Sequence, residues 1–337
     1  MKILVTGASG FIGSYIVEAA LQRGHEVWAG VRATSSRQWL QCPGTQFATL
    51  DLGRPDVLRT QLRELRQQMG APWDYVIHVA GATKSRDDEG FFRTNLRGTQ
   101  NLVEALRAEQ MMPSRLVFIS SLSIFGAIRE QEPYTEILDT DTPEPNTAYG
   151  RSKLAAEQWL AQQDDVPWVV LRPTGVYGPR ERDYFLMAKS IAQHVDFAVG
   201  YRRQEITFVY VQDVVEAALL ACQRQGVEHH AFFLSDGEVY TSRTFSDLLQ
   251  SEMGVRHVMH IKAPLCVLRA VCYVSGTLAH AMGRLTTLNM DKYHILAQRN
   301  WRCDIEPARR LLGYTPQWPL QRGVAATVAW YKANGWL

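Results

Sequence analysis

Short apolar runs alternate with longer amphipathic stretches through the first half of the chain. Residues 3–5, 26–31, 47–50, 75–80, 116–120 and 168–171 are rich in β-formers, and Val76-Ile77-His78-Val79-Ala80 is nearly continuous in its apolarity. Runs of that kind suit strands covered on both faces. Between them, residues 11–22, 55–69, 90–110 and 147–163 carry apolar positions at helical spacing. Such alternation encodes parallel strands joined by crossover helices, so the pattern predicts a doubly wound α/β sheet.

After Arg172 the alternation fades into segments rich in glycine, proline and aromatics, with helices expected near 211–225, 242–253, 264–284 and 320–334. Phe232-Phe233-Leu234 is expected to return to the sheet. Residues 1–180 with roughly 205–235 are therefore assigned to a dinucleotide-type domain, and residues 181–204 and 236–337 to a smaller mixed α/β lobe interleaved with it.

Composition narrows the function classes. With 337 residues, 46% of them hydrophobic and 21% charged, the chain can bury a sizeable core and is neither disordered nor a disulfide mini-fold. Thirty-six basic against 34 acidic residues leave a formal charge of +2, too balanced for an electrostatic grip on nucleic acid. No nucleic-acid or membrane partner is expected, only a small-molecule substrate. The five cysteines are scattered and never form a C-x-x-C pair, so no metal site is written, and a reducing cytoplasm fits them. Met1 to Val5 is too short for the apolar core of a signal peptide. The most apolar later stretch, residues 263–282, is interrupted by Arg269 and His280 and reads as a buried or interfacial helix rather than a span or a membrane anchor.

Candidate chemistry begins at Gly7-Ala8-Ser9-Gly10-Phe11-Ile12-Gly13, between the first strand and the first helix. Gly7 permits a tight turn, Gly10 lets the backbone approach a pyrophosphate, and Gly13 allows the helix to pack closely on the strand. Free amides at the helix start, with the helix dipole behind them, point at the anion. The G-x-x-G-x-x-G spacing resembles the short-chain dehydrogenase/reductase superfamily. That resemblance implies an adenine-contacting pair at Asp51-Leu52 and a cleft-lining motif at His78-Val79-Ala80-Gly81-Ala82. It also implies cofactor contacts from Ser9, Phe11 and Ile12.

The end of the second strand, Val31-Arg32-Ala33-Thr34-Ser35-Ser36-Arg37, carries no carboxylate to accept the ribose hydroxyls of NAD. Arg32 and Arg37 bracket hydroxyl side chains and suit a 2′-phosphate, so NADP(H) is favoured over NAD(H) unless the two are ordinary solvated arginines.

In Tyr149-Gly150-Arg151-Ser152-Lys153 the phenol and the ammonium lie one helical turn apart on one face. A nearby ammonium is expected to lower the tyrosine pKa, which otherwise sits near 10, and lysine can also reach ribose hydroxyls. Ser120-Ser121-Leu122-Ser123 ends the fifth strand, on the side where ligands bind in such sheets, and Ser121 is the expected donor to a developing oxyanion.

These segments, with Asn95 in Asn95-Leu96-Arg97-Gly98-Thr99 and the stretches 171–179, 208–214 and 304–316, resemble the extended branch of that superfamily, the NAD-dependent epimerase/dehydratase family. The resemblance implies a Rossmann-type fold, a homodimer pairing two long helices of the first domain, and Ser121, Tyr149 and Lys153 as a catalytic triad. It places Pro173 against the nicotinamide and adds Val79, Ala80, Gly81, Asn95, Lys153 and Val176 to the cofactor contacts, although Asn95 would equally bond helix backbone.

In reduction, Ser121 and Tyr149 would bond the substrate carbonyl and Tyr149 would protonate the forming alkoxide. A reductase releases oxidised cofactor; a sugar or nucleotide-sugar epimerase retains it, and a non-catalytic NADP-binding regulator would not turn over. Leu122, Ser123 and Ile124 stand where sugar dehydratases of the family carry acid residues, so dehydration loses support. Gly175 stands where many nucleotide-sugar enzymes carry asparagine. Aromatic residues nearby favour a weakly polar substrate, with Thr83, Ser123, Phe125, Tyr177 and Tyr210 assigned to it, unless those aromatics are ordinary core. Several features are similar to the hydroxysteroid dehydrogenase and dihydroflavonol reductase-like side of the family.

Overall fold

The computed structural model describes residues 1–282, 286 and 288–337. Strand and helix alternate first as β1 (Lys2–Thr6), α1 (Phe11–Gln22), β2 (Glu26–Val31), β3 (Gln46–Thr49), α2 (Pro55–Met69) and β4 (Tyr75–His78). They continue through α3 (Asp88–Phe92), α4 (Gly98–Ala108), β5 (Arg115–Ile119), α5 (Ala148–Leu160) and β6 (Trp168–Pro173). Each helix forms for a local reason. In α2, Pro55 opens the first turn, Leu58, Leu62 and Leu65 fall on one buried face, and Gly70 closes the helix in the left-handed region at φ 70°.

The later elements are β7 (Gly175–Tyr177), α6 (Asp183–Ala192), β8 (Val195–Val199), β9 (Glu205–Ile206), β10 (Phe208–Tyr210), α7 (Val211–Gln223) and β11 (His230–Leu234). They end with β12 (Tyr240–Thr241), α8 (Thr244–Met253), β13 (Met259–Ala263), α9 (Leu265–Ala281), α10 (Met290–Ala297), β14 (Asn300–Trp301) and α11 (Leu320–Ala333). The last residues of the helix expected over 264–284 lie outside the described residues.

Seven parallel strands form one sheet in the order β11-β6-β5-β4-β1-β2-β3. This is the doubly wound Rossmann-type arrangement, and β11 contains the stretch expected to return to the sheet. The strand order reverses between β1 and β4, which opens a crevice at their carboxyl ends. One apolar layer, around Ile16, Val17, Val117 and Val214, sits under α1 and α7. The other, around Leu58, Leu62, Leu102 and Leu106, sits under α2 and α4.

The later elements add small sheets, β10-β7, β13-β8 and β12-β9-β14, and an aromatic core. Tyr177, Phe208, Tyr210 and Phe245 pack there with Val324 and Tyr331 of α11. Short strands of two or three residues carry too little periodicity to be read from sequence, which is why β7, β9, β10, β12 and β14 were not expected individually.

Candidate active site

The Gly7–Gly13 loop has the shape of a dinucleotide cradle. Gly7 turns at φ +66°, and a Cβ there would lie 2.6 Å from the backbone nitrogen of Ala80. A Cβ on Gly13 would lie 2.3 Å from the Gly7 carbonyl oxygen, so the helix can approach the turn only because that atom is missing. Gly10 N donates to Gly7 O at 2.9 Å, and Gly10 opens α1 without a side-chain cap or an acidic residue in its first turn. The amide donors at this helix start stay open to an anion, and the positive dipole end is uncompensated. The residues therefore fit a pyrophosphate. Ser9, Phe11 and Ile12 flank that opening, with Phe11 set edge-on to Tyr15 at 6.1 Å.

At the end of β2, Arg32 is exposed and its amide donates to Ser35 Oγ at 3.1 Å. Arg37 is exposed too, and its guanidinium lies 4.1 Å from the Phe47 ring centroid. Among the described residues neither forms an ion pair. After β3, the Asp51 carboxylate accepts from Gly53 N at 3.1 Å and from Arg54 Nε at 2.7 Å. Leu52 packs partly into the core under α2.

Behind Val79 and Ala80 runs a directed polar chain. Thr99 Oγ1 donates to Asn95 O at 2.7 Å, which leaves it to accept from His78 Nε2 at 3.0 Å. His78 Nδ1 then accepts from Thr6 Oγ1 at 2.7 Å, and Thr6 Oγ1 accepts from Ala80 N at 3.3 Å. The partners fix the Nε2–H tautomer. Burial, aided by the Lys153 charge, pushes the His78 pKa down to about 3, so His78 stays neutral and serves the backbone that lines the cleft.

Asn95 sits in a π-helical turn, Arg93–Arg97, between α3 and α4. The helix expected as one piece over 90–110 is thus interrupted, and such turns recur at functional sites. Asn95 is fully buried; its Oδ1 accepts from Ala82 N at 2.7 Å, and its amide donates to Ala82 O at 3.1 Å and Ser152 Oγ at 2.9 Å. Both amide donors are taken by the protein, so Asn95 pins the segment after β4 instead of offering donors to a cofactor. Among the described residues its side chain bonds only Ala82 and Ser152, not its own helix.

Three candidate reacting groups converge at the carboxyl end of the sheet. Ser121 follows β5 and caps the short turn Leu122–Ile124, accepting from Ser123 N at 3.1 Å and donating to Ser123 Oγ at 3.1 Å. Tyr149 and Lys153 lie on α5, which Thr147 caps by accepting from Gly150 N at 3.0 Å. Burial pushes the Tyr149 phenol up to about 12, and contact with the Ser121 hydroxyl pulls it the other way. Lys153 is 4% exposed; its Nζ donates to Ile119 O at 2.8 Å, and burial pulls its pKa down to about 8 against the opposing charge of Glu157. The expected lowering of Tyr149 by the ammonium is thus not what the structure shows. Desolvation dominates, and Lys153 is turned to the β5 carbonyl and to the Phe118 ring, 4.6 Å away. A Cβ on Gly81 would lie 3.2 Å from Lys153 Nζ, so the ammonium also borders the segment after β4.

Several sequence assignments to the substrate do not hold. Phe125, Tyr177 and Tyr210 are at most 3% exposed. Phe125 packs against Phe233 at 5.2 Å, and the Tyr177 and Tyr210 rings, tilted by 60°, lie 5.4 Å apart within the aromatic core. Their bulk and burial make them scaffold. Thr83 is exposed on the segment after β4, whose Lys84 pairs with Asp183 of α6 at 2.7 Å. Pro173 ends β6 buried, and Val176 in β7 is half-buried. Sequence reasoning missed α10, whose Asp291 accepts from Ala148 N at 3.0 Å and holds the start of α5. Eight residues without strong periodicity leave no signal for it.

A parallel sheet reversing at an uncapped glycine turn has the form that receives a nicotinamide dinucleotide. Residues 3–234 match the profile of the NAD dependent epimerase/dehydratase family, and the chain belongs to that family. It is an NAD(P)-dependent oxidoreductase of the extended short-chain dehydrogenase/reductase type. It is 29% identical to the 2-alkyl-3-oxoalkanoate reductase of Stenotrophomonas maltophilia, covering 96% of this chain and 97% of that one. It is 27% identical to the ceramide reductase of Caulobacter vibrioides, covering 99% and 96%. The UDP-glucose 4-epimerase of Thermus thermophilus in complex with NAD superposes with a TM-score of 0.75 at 25% identity, covering 98% and 99%.

Proposed function

We propose that this protein is an NADP(H)-dependent reductase of a weakly polar carbonyl compound, with Ser121, Tyr149 and Lys153 as the reacting groups. The observation that carries the reading is Tyr149. It lies half-buried beside Ser121 on α5, and that burial favours the neutral phenol, which holds its proton until a forming alkoxide takes it. When bound, the nicotinamide supplies or takes a hydride. Ser121 and Tyr149 then hold the carbonyl oxygen, Tyr149 gives its proton to the developing alkoxide, and Lys153 keeps a positive charge within reach.

The substrate class is argued from two observations. A Cβ on Gly175 would lie 2.4 Å from the Tyr184 hydroxyl, so phenol fills the space in which nucleotide-sugar enzymes place an amide. Relatives spanning the whole chain are named for reducing a ceramide and a 2-alkyl-3-oxoalkanoate, compounds built on alkyl chains. The same reading assigns the protein to the cytoplasm, a compartment that would keep its five scattered cysteines reduced. The homodimer belongs to the same reading and would pair α4 and α5 of two copies, whose outward residues Glu104, Arg107, Arg151 and Gln158 are polar.

The choice of NADP(H) rests on the exposed Arg32 and Arg37 beyond β2, which form no ion pair among the described residues. Fluorescence titration should show NADPH binding at least about tenfold tighter than NADH, as one charge-assisted phosphate contact supplies. Arg32→Ala should erase most of that gap while leaving NADH affinity unchanged. Tighter binding of NADH by the wild-type protein would refute the preference. A panel of alkyl ketones and their alcohols, read by cofactor absorbance, tests the substrate class; turnover confined to nucleotide sugars would contradict it.

A further inference from the structure

Large apolar side chains are exposed in one region above all others. Along α9, Val267, Val271, Val274 and Leu278 are between 46% and 56% exposed. Their spacing of four, three and four residues puts them on one face, while Cys272 and Ala279 are buried on another. A groove of about 650 Å³ runs along this face, lined by Val271, Val274, Leu278 and Met282. On the strand just before it, Ile261 is exposed and pairs with the exposed Phe197 of β8. Tyr201 follows β8, exposed, with Lys262 Nζ 5.3 Å from its ring centroid. A contiguous apolar surface of this kind marks an interaction site.

Charge says what covers it. From Met253 to Met290 the chain has no aspartate or glutamate, yet it carries Arg256, Lys262, Arg269 and Arg284. Arg269 lies about half a turn round α9 from the apolar face and lines a cavity with Tyr293 and His294, while Arg256 and Lys262 are exposed. In a twofold contact between two copies the same patch meets itself, and these cations would face their own kind with no acid in the segment to neutralise them. An anionic phospholipid surface answers both features, taking the apolar face into its acyl boundary and the cations among its headgroups. No described helix is long and apolar enough to cross a membrane, so α9 would lie along the surface.

We propose that α9, with the β8–β13 edge, seats this protein on an anionic phospholipid bilayer. The consequence reaches the active site. α9 packs on α10, and Arg269, Tyr293 and His294 of these helices line a cavity of about 410 Å³ with Asn146, three residues before Tyr149. That cavity lies on the side of α9 away from the apolar face, so α9 stands between the bilayer and the site proposed for an alkyl-chain carbonyl compound. The docking itself does not rest on that substrate class.

The test is sedimentation of the full chain with vesicles of phosphatidylcholine, with and without phosphatidylglycerol. The protein should pellet with the anionic vesicles, less at high salt, and hardly with phosphatidylcholine alone. Combined Val271→Glu and Leu278→Glu should weaken partitioning at least about tenfold. Lys262→Glu should weaken it on anionic vesicles only, and it decides the matter should the double variant fail to fold. Retained thermal transitions and NADPH binding verify folding. Wild-type protein left in the supernatant, or substitutions without effect, would overturn the proposal. So would sedimentation velocity showing a dimer that the double substitution splits, since the face would then join two copies. Failure of every ketone in the turnover panel would sink the proposed substrate and leave this result standing.

Discussion

Tyr149→Phe should lower kcat by roughly 10²- to 10⁴-fold, the usual worth of a positioned proton donor, while the dissociation constant of NADPH stays within about a factor of two. The asymmetry follows from geometry. The phenol reaches Ser121 at the end of β5, while the pyrophosphate is received by the amides of α1 and the glycine turn, to which Tyr149 contributes nothing. Phenylalanine keeps the ring that packs edge-on against Phe91 at 6.3 Å, so the fold is undisturbed. Stopped-flow turnover and cofactor titration on the same preparation check both halves. Activity retained to within a few fold would remove Tyr149 from the chemistry.

Lys153→Met should abolish turnover as well, but its second effect is unusual for a lost active-site residue. Burial lowers the folded-state pKa of Lys153 from 10.5 to about 8. Between those values the unfolded chain binds the proton that the folded chain has released, so the lysine contributes stability that rises with pH across that window. Below pH 8 both states are protonated, and the buried ammonium costs the fold on the order of 3 kcal/mol relative to an unperturbed lysine. The bond to Ile119 O offsets part of that cost. The methionine variant should therefore lose little stability at neutral pH, or gain some. The wild type should recover by about 3 kcal/mol relative to it as pH rises from about 8 to 10.5. Urea unfolding of both proteins at the two ends of the window measures the difference, and a constant difference would show that Lys153 is not desolvated.

Much of this architecture was legible because long periodic elements advertise themselves. Residues 11–22 and 55–69 coincide with α1 and α2, and the six sheet strands expected before residue 172 are all present. Gly7, Gly10 and Gly13 were readable because missing side chains leave a spacing signature, and a Cβ at 7 or 13 would strike backbone. What escaped notice is tertiary. The helix over 90–110 winds through a π turn at Asn95, whose side chain bonds Ala82 and Ser152 outside that helix, contacts that helical spacing does not record. The aromatics at 125, 177 and 210 look alike whether they face a pocket or fill a core, and packing decided for the core. The pKa of Tyr149 follows desolvation, which no four-residue spacing reveals. The apolar face of α9 was visible as composition only; its exposure belongs to the fold.

The fate of the hydride is the most direct test of the account. With NADPH deuterated at the transferring position of the nicotinamide and an alkyl ketone as substrate, the wild-type protein should place one deuterium on the carbinol carbon of the product and release oxidised cofactor in equal amount. Turnover that leaves the product unlabelled and the cofactor unchanged would contradict net reduction and identify instead an epimerase that returns the hydride to the molecule it came from.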